Sequence, residues 1–414
     1  MKERTRYFDN PIMRKIILGS IVLFVVIINL LAFYQFSIVA PGGNDSIPRW
    51  IGTRAWLYEG INPYSAEVTA RAQKMIYGRL ATPEEDQQKF VYPFYTILFY
   101  LPVVWMKYEW ARAIYMLILE WAILALVIVS IKIMRWSPPK WLLISTILFG
   151  ILFYHSIRTI VLWQLAGICA LLITLSLWGI LNKNDFVAGI SLALASIKPQ
   201  MVYLIIPLVF FSGIAFRRWK LSLSLLITLL LLIGGSFLLL PTWMSDMIQQ
   251  MVDYEHYTYT VSPIHILTHI IFPWLGNNTE KLLIMILLVW LMYEWLQLIN
   301  FEEDYFIWVF LLTLVITNLI VIRTATTNYL MMFPVIIYIF QKLSSSNAPK
   351  VNFWILLLEI IYFSGTWFLF FMTVQGREEQ WQMYLPLPFF VLIGLIIFRF
   401  RGNITSKNHS QRYW

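Results

Sequence analysis

An all-α, polytopic membrane helical bundle is the fold class this sequence predicts, with about twelve transmembrane helices and a long first outer loop. Three observations carry it: 59% of the 414 residues are hydrophobic, only 13% are charged, and apolar runs long enough to span a bilayer recur from end to end. A mean hydropathy of +0.69 fits a chain whose main solvent is lipid. The same figures exclude a soluble enzyme with a single anchor, a secreted disulfide scaffold and a disordered chain. The lone Cys169 lies in an apolar run, has no second cysteine to pair with, and reads as core.

The first run, Lys15 to Ala40, follows Lys2, Arg4, Arg6, Arg14 and Lys15 and, at about 25 residues, exceeds a signal-peptide core, so an uncleaved helix is expected. Further spans are expected at Trp110–Ile131, Trp141–Ile157, Ile160–Leu181, Phe186–Ile197, Gln200–Phe216 and Leu221–Leu240. After them come Lys281–Ile299, Tyr305–Ile322, Tyr329–Phe340, Val351–Thr373 and Leu385–Phe398. Phe94 to Met106 is apolar but short and interrupted by Pro102, and is expected to be re-entrant or interfacial.

Lys and Arg outnumber Asp and Glu by 31 to 22, a net charge of +9. The basic residues concentrate in short loops and tails, so the charge reports topology and anionic lipid head groups, and no nucleic-acid partner is expected. The N-terminus, Lys132 with Arg135 and Lys140, Lys183, Arg217-Arg218-Trp219-Lys220, Lys342 with Lys350, and the tail are expected to be cytoplasmic. Two long loops then face outward, Pro41 to Tyr92 and Pro241 to Asn278, and long loops in a compact membrane protein are usually functional. In the first, Trp50, Trp56, Leu57 and Ile61 at helical spacing suggest an amphipathic helix on the membrane surface.

Just beyond the first helix stand Gly42-Gly43-Asn44-Asp45, then Arg54-Ala55-Trp56, then Glu59-Gly60-Ile61-Asn62-Pro63-Tyr64, and finally Phe90-Val91-Tyr92-Pro93. Asp45 at the membrane boundary is placed to meet a lipid-borne substrate and a water-borne hydroxyl, for which a carboxylate is a suitable general base. Alternatively, it caps the helix starting near Ser46 and Ile47. Ionisable residues beside apolar spans are functional candidates because hydrocarbon makes them expensive. His155 and Arg158, Gln164, Lys198 at the break made by Pro199, and Arg323 all fall on the side of Asp45, and cations there suit a lipid phosphate. Head-group snorkelling is the plainer reading of Arg158 and Arg323.

This order of residues resembles the integral-membrane GT-C glycosyltransferases of family 87, which include polyprenol-phosphate-mannose-dependent mannosyltransferases. Asp45, Gly60 to Tyr64 and Tyr92-Pro93 match its Asp, Gly-x-x-Pro-Tyr and Tyr-Pro elements in order. Ala188-Gly189 through Ala195, Lys198-Pro199 and the 217–220 basic cluster look like its Ala-Gly, Lys-Pro and closing basic segments. The likeness covers roughly the first 220 residues. Two departures stand out: Trp163 precedes Gln164 where the family often has Gly, and Arg323-Thr324-Ala325-Thr326-Thr327-Asn328-Tyr329 lies where it commonly has a His before an aromatic.

The resemblance implies a multi-pass cell-membrane enzyme of the cell envelope. It would pass a sugar, mannose by analogy, from a polyprenyl-phosphate donor to a lipid-linked or glycan acceptor on the outer face. Asp45 would be catalytic, and Lys198, Arg323, Arg158 and His155 would bind the donor phosphate. Asn44, Arg54, Tyr64, Tyr92, Gln164, Asn328 and Tyr329 would line the substrates. Residues 1–220 would form the GT-C-like catalytic module with outer loop 41–92, residues 221–400 an additional transmembrane bundle with outer loop 241–278, and residues 401–414 a cytoplasmic tail.

His265 and His269 share a helical face, with His256 nearby, but no carboxylate or cysteine set adjoins them, so neither a metal nor another cofactor is assigned. Glu84-Glu85-Asp86 after Thr82-Pro83 reads as an acidic first helical turn. A transporter or flippase, which would show inverted repeats and charges at the midplane, and a noncatalytic polyprenyl-lipid-binding protein of the same fold are the competing readings.

Overall fold

The computed structural model describes residues 11–40, 42–253, 262–298, 303–321, 324–345, 350–376 and 379–402, and Arg323 and His256 lie outside these. The described chain is helical: α1 (Pro11–Val39), α2 (Ile47–Glu59), α3 (Ala66–Tyr77), α4 (Tyr108–Ile133), α5 (Lys140–Leu152), α6 (Tyr154–Val161), α7 (Ala166–Leu181) and α8 (Asp185–Ala195). It continues through α9 (Ile205–Ala215), α10 (Trp219–Leu239), α11 (Trp243–Asp253), α12 (Gly276–Gln297), α13 (Glu303–Ile320), α14 (Phe333–Ser344), α15 (Val351–Thr373) and α16 (Pro386–Gly402).

Among these, α1, α4, α10, α13, α15 and the stretch Trp381–Arg399 are long and apolar enough to cross a membrane. The pair α5 and α6, bent by 43°, makes a seventh if taken as one span. The expected twelve is not reached by helix length. At 1.5 Å per residue, helices of 11 to 16 residues such as α7, α8 and α9 rise about 16–24 Å, short of a hydrocarbon layer about 30 Å thick. Every residue of α13 from Phe306 to Ile320 is buried, as suits a helix apolar all round, and it packs against α7, α9, α12 and α16, so elements from both halves of the chain surround it. α1 instead presents an unburied apolar surface, the mark of a lipid-facing helix.

The Phe94–Met106 segment forms two 3₁₀ turns, Phe94–Phe99 and Leu101–Val103, and no continuous helix. Its hydrogen bonds keep it at one end of the bundle. The Tyr95 hydroxyl bonds Ser196, Tyr100 bonds Ser46, Arg54 of α2 donates to the carbonyls of Val104 and Met106, and Tyr108 donates to Gly42 O. The opposite end of α4 carries Arg135, paired with Glu303 at 2.8 Å, and Trp136, which donates to Ser344.

Two expectations about the first outer loop change. α2 buries Ile47, Arg49, Trp50, Thr53 and Ala55 against protein, while Leu57 and Tyr58 are exposed, and Gly60 at φ 68° ends the helix before Ile61. The surface helix is therefore docked by its Trp50 face. No helix begins at Glu84: Glu85 accepts from the Thr82 N–H and pairs with Arg79, which holds its carboxyl down at about 2. The two long loops meet through Asn62 to Asp246 (2.7 Å), Lys89 to Asp253 (2.8 Å) and Gln250 to Tyr64 O (2.6 Å).

The helix-end pattern yields a topological expectation. In the otherwise wild-type chain, whose Cys169 is buried, cysteines at the exposed positions Glu67 and Thr242 should react with an impermeant thiol reagent on intact cells, while those at Ser137 and Asn182 should not. Labelling of Ser137→Cys but not Glu67→Cys would invert the assignment of sides.

Candidate active site

Asp45 sits in the turn between α1 and α2, which is clamped from two directions. Arg112 of α4 donates to Ala40 O (2.7 Å) and Val161 O (3.3 Å), the Tyr108 hydroxyl donates to Gly42 O (2.6 Å), and Gly43 N donates to Val161 O (3.2 Å). Gly42 and Gly43 are required by this approach, because a Cβ on either would collide with the Arg112 guanidinium or the Tyr108 hydroxyl. Ser46, and not Asp45, occupies the N-cap position of α2, and the Ser46 hydroxyl is bonded to Trp163 O and to the Tyr100 hydroxyl.

The Asp45 carboxylate turns to Gln164 instead: Gln164 Nε2 donates to Asp45 Oδ2 at 2.8 Å, and Lys198 Nζ donates to Gln164 Oε1 at 2.9 Å. Residues 119 and 34 positions apart in sequence thus form one chain of carboxylate, amide and ammonium. Lys198 is reached because α8 ends at Ala195, Pro199 cannot continue the helix, and Gly189 lets α8 lie directly against Ser224 and Leu225 of α10. Lys198 is only 1% exposed, and its described hydrogen bond is to a neutral amide. A buried ammonium so bonded is incompletely compensated, and an anion beside it would restore the balance.

Trp163 explains the departure from Gly-Gln. It has φ 55°, a left-handed conformation that glycine adopts freely, and turns the chain from α6 into α7 so that Gln164 faces Asp45. The fully buried indole lies among Tyr100, Tyr108 and Tyr115 at centroid distances of 5.8, 6.1 and 5.1 Å. Trp163→Gly should relieve about 1 kcal/mol of backbone strain but lose about 3–5 kcal/mol of packing, lowering the melting temperature in detergent. An unchanged melting temperature would mean that the aromatic cage contributes nothing.

One turn beyond Asp45, the buried Arg49 lies with its guanidinium 3.8 Å over the Tyr92 ring, and Tyr64 donates to Tyr92 O at 2.6 Å, so both predicted tyrosines belong to the wall beside α2. Asn44 precedes Asp45 in the same turn. Arg54 anchors Val104 and Met106, as described above.

Four predicted residues gather in a second cluster. Arg158 Nε lies 3.1 Å from Glu379, whose carboxylate also accepts from Tyr154 (2.6 Å) and Thr326 (2.7 and 2.6 Å). His155 is 1% exposed among the rings of Phe153, Tyr154 and Tyr329, and Tyr329 donates to Tyr384 O. Asn328 donates to Thr324 Oγ1 while its buried Oδ1 has no partner among the described residues. None of these has a described hydrogen bond to Asp45, Gln164 or Lys198. Arg323 lies outside the described residues.

Arg49, Arg112 and Glu379 are absent from the sequence-derived set. The rule that flags charges within apolar runs applies directly to Arg112, flanked by Ala111 and Ala113. Nothing local marks Glu379 as the partner of a residue more than 200 positions earlier.

The profile of glycosyltransferase family 87 matches residues 90–322, more than half of the chain and including Gln164 and Lys198 but not Asp45. No curated protein and no solved structure matches.

Proposed function

Given that the chain belongs to glycosyltransferase family 87, and so is a membrane glycosyltransferase, we propose that it transfers a sugar from a polyprenyl-phosphate donor to a lipid-linked or glycan acceptor at the outer face of the cell membrane. The observation that carries this reading is the Asp45–Gln164–Lys198 chain, which sets a base and a buried cation at fixed separation. Mannose is the donor sugar suggested by the family resemblance.

In the proposed step the acceptor oxygen attacks the anomeric carbon, its proton passes to Asp45, and the bond from that carbon to the phosphate oxygen breaks with its electron pair going to the phosphate. Negative charge grows on the departing polyprenyl phosphate, and Lys198 is placed to stabilise it. Gln164 is the positioning residue, since its amide fixes the base relative to the cation. Arg49, stacked on Tyr92, and Tyr64 back the wall beside α2 along which the substrates would lie, and Asn44 borders the acceptor side. Arg323 would supply a second cation to the donor phosphate, and Asn328 and Tyr329 would contact substrate. Arg158 and His155 act through the second cluster, and Arg54 by fixing the 104–106 carbonyls.

Incubating membranes containing the protein with a radiolabelled polyprenyl-phosphate sugar should move label into a new lipid-extractable or glycan product. Donor that binds or crosses the membrane without any labelled product would replace the enzyme with a lipid-binding protein or flippase.

A further inference from the structure

We infer that His265, His269 and Glu280 form a binding site for one zinc-like divalent metal ion, which ties the second long loop to the start of α12. The observation is a convergence invisible at the level of spacing. Ser262 caps the turn Pro263–His265, the chain continues as a π-helical turn Ile266–Ile271, and Glu280 arrives from the first turns of α12. The imidazoles stack 4.1 Å apart at 8°, with both Nδ1 atoms towards the Glu280 carboxylate. His265 Nδ1 is 3.2 Å from each Glu280 oxygen, His269 Nδ1 is 3.4 Å from Oε2, and all three ligand atoms lie within 4.8 Å of one another.

The two His–Glu280 separations match the ligand spacing of a metal polyhedron. Zinc bonds of about 2.0–2.1 Å in tetrahedral geometry place neighbouring ligand atoms about 3.3 Å apart. Two imidazoles and one carboxylate are a known zinc donor set, and they leave a fourth position for water. The residues around the site also suit a ligand role. His269 Nε2 lies 2.7 Å from Asn277 Oδ1, and donation in that direction leaves the Nδ1 lone pair facing the carboxylate. Thr268 Oγ1 is 2.9 Å from the same Nδ1 but also has Ile264 O as an acceptor at 3.0 Å. Each neutral ring can present an Nδ1 lone pair on the side of the carboxylate, and a single dication placed there answers all three ligands at once. The ligands are partly buried, with side-chain exposures of 35%, 25% and 18%, so an ion has access from the loop. A π-helical turn is the kind of backbone irregularity that recurs at functional sites.

The test uses full-length protein purified in detergent through a non-histidine tag, stripped with chelator and titrated with zinc chloride against a competing chromophoric chelator. The expected result is one equivalent bound, with a zinc-dependent rise in melting temperature. Affinity should fall at least about a hundredfold in His265→Ala and in His269→Ala, and about 10–100-fold in Asn277→Ala, which keeps the three ligands and serves as the folding-neutral variant. No saturable binding to wild type, or undiminished binding by the His265→Ala/His269→Ala double variant, would overturn the assignment. Neither readout depends on sugar transfer, so the site stands or falls separately from the proposed activity.

Discussion

Asp45→Asn is expected to yield a folded protein that binds donor lipid but transfers sugar at least about a hundredfold more slowly, equivalent to about 2.7 kcal/mol of activation free energy. The substitution isolates the chemistry for a structural reason. An asparagine oxygen still accepts from Gln164 Nε2, so the amide remains bonded to Lys198, and the N-cap position of α2 belongs to Ser46. What disappears is the capacity to take a proton from the acceptor hydroxyl. Initial transfer rates with saturating donor, alongside equilibrium donor binding, provide the measurement. Near wild-type transfer would remove Asp45 from the chemistry. Glu59 would not be a ready substitute, because both its oxygens are bonded to Arg71, which holds its carboxyl below the ordinary range.

The residues most legible from sequence were those whose presence hydrocarbon penalises. Lys198 stands out because apolar helix flanks it on both sides, and Asp45 because a carboxylate directly follows a membrane span; these two meet through Gln164. Arg112 obeys the same rule but sits inside a span, where only the three-dimensional position of Ala40 and Val161 reveals its carbonyl partners. Glu280 escaped because a turn, and not helical spacing, delivers it to His265 and His269. The span count departs from helix length for a different reason. Hydropathy sees an apolar run, but helices such as α8 and α14 are too short to cross alone, with the turns Pro199–Met201 and Thr326–Met332 beside them taking up part of the run. The left-handed Trp163 was visible as a departure from Gly, yet its cause emerges only from the chain reversal that aims Gln164.

Lys198→Met is expected to lower transfer by about one to three orders of magnitude, through weaker donor binding, slower turnover or both, as loss of a charge-assisted phosphate contact costs about 2–4 kcal/mol in the transition state. Methionine fills much of the volume of the lysine stem and suits an apolar site, so folding should survive. At 1% exposure the ammonium cannot be snorkelling to a head group at the surface, which removes the plainest alternative for this residue. Arg158→Met offers the contrast. Its guanidinium already faces Glu379, so its loss leaves that carboxylate, among the described residues, with Tyr154 and Thr326 and should lower the melting temperature more than it alters donor affinity. The informative comparison is the double variant Asp45→Asn/Lys198→Met. Because Gln164 links the two groups, their effects on turnover should combine to less than the product of the single losses. A strictly multiplicative result would mean that base and cation act independently and that the Gln164 bridge has no part in positioning them, whereas wild-type donor kinetics in Lys198→Met would remove Lys198 from the phosphate altogether.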